Sequence, residues 1–173
     1  MFEKGSYVAY KSEGVCVISD IRAESFGAPN DNEQYYILTP IHHTQSTLFV
    51  PVKNEILTSQ MRALLSVGEI NQMAAEIRED RLALPPESRA RNNFFKEILS
   101  RGERQELAVL ALTLADKIDA IIASGKKPGA TETSALYRAE RMLFEEFEVT
   151  TDIRSIEQVV EFLRGKITLG EKA

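Results

Sequence analysis

The sequence predicts an α+β protein: a small antiparallel β-barrel over residues 1–58, then an all-α bundle of about five helices over 59–173. Three observations carry this reading. The first fifty or so residues hold short β-prone runs separated by Gly, Pro, Asn and Ser. From Ser66 onward, apolar residues recur at helical spacing. Within that second stretch, Pro85-Pro86, Gly102 and Gly125 divide the pattern into helix-sized pieces.

The strands come first. Tyr7, Val8, Ala9 and Tyr10 form a β-prone run, Ser12-Glu13-Gly14 a turn, and Val15, Cys16, Val17 and Ile18 resume the extended pattern. A polar loop over 27–32 (Gly-Ala-Pro-Asn-Asp-Asn) precedes Gln34-Tyr35-Tyr36-Ile37-Leu38. A further loop around His42 and His43 leads to Thr47-Leu48-Phe49-Val50-Pro51-Val52. Strands this short and this closely spaced suggest a twisted barrel of SH3 or Tudor type. The boundary with the helical half falls between residues 53 and 65.

In the helical half, Ser66 and Glu69 have the spacing of a capping box, and Val67, Ile70, Ala74 and Ile77 give the first helix its apolar face. A second helix is expected over 87–101, with Phe94, Phe95, Ile98 and Leu99 inward and Gly102 as its stop. The third, over 104–124, carries Leu107, Leu110, Leu114, Ile118 and Ile121, and ends at Gly125. Thr131 is the expected cap of a fourth helix bearing Leu136, Leu143, Phe144 and Phe147. Ser155 and Gln158 can box the start of a fifth, with Ile156, Val159, Val160 and Leu163 inward and Gly165 at its end.

Composition excludes several classes. No apolar run approaches the roughly 18 residues of a membrane span. The N-terminus lacks a basic segment followed by an apolar one, so a cytoplasmic protein is expected rather than a secreted one. The single cysteine, Cys16, offers no internal disulfide and no zinc cluster, and among Val15, Val17 and Ile18 it reads as a small core residue. His42 and His43, being adjacent, point to opposite sides of an extended chain and make a poor metal site. Phosphate-binding glycine loops and nucleophile triads are missing, and Glu145, Glu146 and Glu148 read as solvated helix residues; neither catalysis nor a cofactor is expected.

A net charge of -5 argues against nonspecific coating of nucleic acid. A local patch can still bind DNA. Between residues 78 and 104, seven basic side chains face five acidic ones. Arg89 and Lys96 are seven residues apart, about two helical turns, so they share a face, whereas Arg91 lies roughly 200° around the axis from Arg89. In the β half, Thr47, Leu48 and Phe49 form an apolar strand end just before Pro51, a residue tolerated mainly at sheet edges. Such an edge can accept a partner's strand, with Phe49 pointing outward by the period-two rule.

The sequence resembles the CarD/CdnL family of bacterial RNA polymerase-binding regulators, including the related module of transcription-repair coupling factors. Phe2, Lys4-Gly5, Tyr7-Val8, Tyr10 and Gly14-Val15 are similar to its opening pattern, and Tyr35-Tyr36-Ile37-Leu38 and Val50-Pro51-Val52 with Asn54 continue it. Arg89-Ala90-Arg91 followed by Phe95-Lys96-Glu97-Ile98-Leu99 and Gly102 resembles a helical-domain segment, and Arg138-Ala139-Glu140 to Phe147 its late helix. The resemblance spans about residues 2 to 148. It implies a Tudor-like domain that binds the polymerase β subunit, for which the strand end Thr47, Leu48 and Phe49 is the candidate docking edge. It also implies a helical domain that contacts promoter DNA near the upstream edge of the bubble and stabilises the open complex with little sequence readout. Arg89, Arg91 and Lys96 are then the DNA-binding residues. Family members commonly carry a tryptophan wedge before the Arg-rich helix; this chain has no Trp, and Leu84 stands in the equivalent place. Glu24 and Phe49 stand where some relatives have arginines, and the tail after Thr150 exceeds the family pattern. The alternative is a polymerase-associated adaptor whose helical domain binds a protein rather than DNA.

Overall fold

The computed structural model describes residues 1–10, 13–26, 33–42 and 45–170, with backbone alone for 168–170. The expected Ser12 turn, the 27–32 loop and His43 lie outside the described residues. The chain divides into two compact units between Leu64 and Leu65.

The first unit is a five-stranded antiparallel sheet with strands β1 (Tyr7–Tyr10), β2 (Val15–Glu24), β3 (Glu33–Pro40), β4 (Leu48–Pro51) and β5 (Met61–Ala63) in the order β4-β3-β2-β1-β5. The expected barrel is not closed. β4 and β5, four and three residues long, form the two edges, and among the described residues neither pairs with the other. Strands this short leave few ladder bonds with which to complete a ring. A helix, α1 (Glu55–Thr58), connects them; Asn54 starts it by accepting the Leu57 N–H at 3.1 Å. β5 pairs with β1, Ala9 opposite Arg62, which places the end of this unit beyond the expected residue 58.

Alternation assigns the faces. Val8, Tyr10, Cys16, Ile18, Tyr36, Leu38, Val50 and Met61 form one apolar core, while Phe49 points to the other side. β2 runs longer than its apolar start suggests. After an irregularity between Ile18 and Asp20 it continues through Asp20, Arg22 and Glu24, which pair in sequence: Lys4 to Asp20 at 3.0 Å, Asp20 to Arg22 at 3.3 Å, Arg22 to Glu24 at 2.6 Å. Lys4 donates a hydrogen bond to Asp20 and, with the Ile21 N–H, holds its carboxyl below the usual range.

The second unit contains α2 (Val67–Glu76), α3 (Ser88–Arg101), α4 (Arg104–Ala123), α5 (Ala130–Thr150) and α6 (Gln158–Gly170). With α1, the described residues hold six helices rather than five; the extra one lies in the β unit. α4 is the centre. Leu107 through Ala115 are buried without interruption, so this helix is covered on more than one side. Phe95, Ile98 and Leu99 of α3, Leu143 and Phe147 of α5, and Val159 and Leu163 of α6 complete the core.

Ser66 and Glu69 make the capping box in both directions, and Gly102 closes α3 at φ +64. Other ends differ from expectation. α5 is capped at Gly129, with Thr131 already inside its first turn. α6 continues through Gly165 to Gly170, since its buried residues outweigh the roughly 1 kcal/mol that an internal glycine costs. Gln158 accepts the N–H groups of Arg154 and Ser155 at 2.6 and 3.2 Å.

One carboxyl makes the unit's stability depend on pH. Burial, with a smaller contribution from Glu157, pushes Glu140 on α5 up from 4.5 to about 7. The folded protein therefore holds this proton longer than the unfolded chain does. The resulting stability is complete below about pH 4.5 and lost as pH rises through 7. After discounting for partial exposure, Glu140→Gln is expected to stabilise the protein by about 1–2 kcal/mol at pH 8 and little at pH 4.5. Urea unfolding of both proteins at the two pH values measures it. An equal effect at both would contradict the titration.

Candidate functional site

In the β unit, the strand read as a docking edge is a sheet edge. β4 pairs with β3, Phe49 opposite Ile37 and Leu48 opposite Leu38, and is terminal in the strand order. Thr47 is exposed just ahead of it, Leu48 packs half-buried onto the core, and Phe49 stands out from the opposite face. The structure adds two rings that the sequence did not single out for a site. Phe26 meets Tyr35 edge-on at 5.3 Å and Phe49 at 5.2 Å, and Tyr35 meets Phe49 at 6.4 Å. Tyr35 is buried beneath, whereas Phe26 is 60% and Phe49 37% exposed. An exposed aromatic pair rigidified by mutual contact, beside a strand edge, combines the features that carry binding energy at protein interfaces. Beside it, Glu24 is held by Arg22 in the ladder that runs from Lys4.

In the helical unit, the predicted residues separate. Arg89 and Lys96 are exposed on α3 and make no side-chain hydrogen bond or ion pair among the described residues. Arg91 is turned inward. Its Nε donates to Glu132 at 2.9 Å, and its Nη1 donates to the carbonyls of Pro85 and Pro86 at 3.0 and 2.9 Å. Glu132 is buried and also accepts from Lys117 at 3.4 Å. Burial opposes the charge on Glu132. Its backbone N–H, Lys117 and Arg91 outweigh that, and its carboxyl lies below the ordinary range. The carboxylate thus takes the place of the missing side-chain cap at the start of α5. Leu84 lies half-buried against the helical core.

Glu146, expected among solvated carboxylates, is buried too. It accepts from Arg104 at 2.8 Å and from the Leu65 N–H at 2.7 Å. Arg164 bridges Asp116 and Asp119, and Arg81 also binds Asp116. Cys16 is fully buried and His42 exposed, and no group of His, Cys, Asp or Glu among the described residues is arranged to hold a metal.

Residues 2–64 match the family model of the CarD-like/TRCF RID domain. The N-terminal unit is a CarD-like/TRCF RID domain. RID domains are RNA polymerase β-interacting modules, a protein-interaction class. The match ends at Leu64, where the first compact unit ends, so all five strands and α1 belong to the RID domain. No curated protein matches the chain closely enough to count as a relative. Among the described residues, no helix is long and apolar enough to cross a membrane.

Proposed function

We propose that this protein is a transcription regulator that binds the RNA polymerase β subunit through its RID domain and stabilises the promoter open complex through largely sequence-independent DNA contacts. The observation that carries the reading is the RID match over a sheet whose β4 edge, among the described residues, is unpaired on one side. A strand of the β subunit would add to β4, main-chain bonds supplying affinity and the Phe26–Phe49 rings supplying selectivity. The helical unit would then touch DNA near the upstream edge of the bubble through Arg89 and Lys96. On a chain of net charge -5 two phosphate contacts give weak affinity alone, so polymerase must hold the protein in place. An open complex that binds the regulator better than the closed complex does is stabilised by the difference.

Arg91 supports this function indirectly, by fixing the chain at Pro85 and Pro86 next to Leu84. The wedge role for Leu84 requires its half-buried side chain to leave the core on DNA binding.

Arg89→Glu with Lys96→Glu is expected to shorten open-complex lifetime about tenfold and lower the salt slope of binding to forked promoter DNA by roughly two. Polymerase affinity should be unchanged. An unaltered lifetime and slope would instead support the adaptor reading, in which the helical unit holds a protein. That reading draws on Arg81, Arg91, Arg104 and Arg164 being neutralised by carboxylates.

A further inference from the structure

We propose that a groove between α3 and α5 is a binding site for a phosphate ester, whose anionic group is held between Lys96 and Arg138. The groove encloses about 280 Å³ and is lined from α3 by Asn92, Phe95, Lys96 and Leu99, and from α5 by Ala130, Thr131, Ser134, Ala135 and Arg138. Each set is a single helical stripe, the first at spacings of three and four residues. The small residues of α5 leave the space open.

Charge points to the ligand. None of the lining residues is a carboxylate, although acidic side chains outnumber basic ones in the chain, 26 to 21. Both cations are exposed, and neither holds a hydrogen bond or ion pair among the described residues, in contrast to Arg91, Arg101, Arg104, Arg141 and Arg164 of the same unit. Cations on two helices, an arginine fork and a lysine point charge, suit an anion with several acceptor oxygens in different directions. Asn92, Thr131 and Ser134 add neutral donors around them. The buried edges of Phe95 and Leu99 give the apolar floor on which the carbon skeleton of the ester would lie. The volume is near the lower end, roughly 300 Å³, of pockets that hold small organic ligands.

A free nucleotide and a nucleic-acid strand both present this chemistry. Arg138 lines the groove and has no part in the DNA contacts proposed above, so it separates binding in the groove from those contacts. The test is an amide chemical-shift titration of the full chain with adenosine 5′-monophosphate, with adenosine as the uncharged control, and with a forked DNA duplex. Shifts confined to residues 92–99 and 130–138, absent with adenosine, are expected, as is about a tenfold loss of affinity in Arg138→Ala. Response to adenosine 5′-monophosphate, with or without DNA, assigns the site to free phosphate esters; response to DNA alone assigns it to a strand's phosphate, and either supports the groove. A groove silent to both, or an Arg138→Ala variant that binds like the wild type, overturns it. If Arg89→Glu still weakens DNA binding in that case, the DNA reading survives without the groove.

Discussion

Phe49→Asp is expected to lower affinity for the polymerase β subunit by a hundredfold or more while the protein stays folded. Phe49 points away from the core that Leu48 and Val50 line, and its ring contacts are Phe26 and Tyr35. Losing those edge-on contacts costs the free protein only about 1–3 kcal/mol. At an interface the same change removes an aromatic anchor and places a charge where water is excluded, which is worth roughly 3–4 kcal/mol or more. Surface binding to immobilised β subunit, with urea unfolding run alongside, measures both quantities. Phe49→Leu, which keeps an apolar surface without the ring, should fall between the two. Normal binding by a folded Phe49→Asp protein would remove this face from the interface.

The second large effect is on stability. Arg91→Ala is expected to destabilise the helical unit by about 2–4 kcal/mol at pH 7, because it leaves Glu132 buried with Lys117 as its remaining cation. It also frees two prolyl carbonyls. The double variant Arg91→Ala with Glu132→Ala should cost less than the sum of the single changes, since each alone strands the other's charge. The carboxyl of Glu132 is held below its ordinary 4.5, so its contribution is present above that value and lost as pH falls through the lowered folded value. The penalty in Arg91→Ala should therefore shrink in acid. Urea unfolding across pH 3 to 7 tests this. An Arg91→Ala protein within 0.5 kcal/mol of wild type would mean the guanidinium is free for phosphate after all, taking ~0.5 as the ordinary surface effect.

The distinction between Arg89 and Arg91 marks the limit of what residue spacing reveals. Spacing put Arg89 and Lys96 on one face of α3 and Arg91 off it, as the structure has them. It could not supply Glu132, 41 residues on, which draws Arg91 inward. Glu146 was misread for the same reason: its partners, Arg104 and the Leu65 N–H, are 42 and 81 residues away. Local signals did better. The Ser66–Glu69 box and the Gly102 stop lie within one helix end, and the five helices of the second unit follow their apolar periods.

In the RID domain, period two placed Leu48 and Val50 inward and Phe49 outward. The rest of β2 was not legible, because Asp20, Arg22 and Glu24 look like a polar loop until β3 is seen pairing with them. β5 is only three residues long, too short for the alternation of Met61, Arg62 and Ala63 to announce it. Phe26 gave no signal, since a lone aromatic before a polar loop belongs to no pattern; Tyr35 and Phe49 create its environment.

Docking of the β4 edge of the RID domain on polymerase is open to direct measurement. Amide hydrogen exchange of the full chain, free and with purified β subunit, tests it most directly. Strong protection at residues 47–50 is expected on binding, with the strand interior of β1 unchanged. Binding with no added protection along β4 would contradict it, as would the lack of any complex with the β subunit.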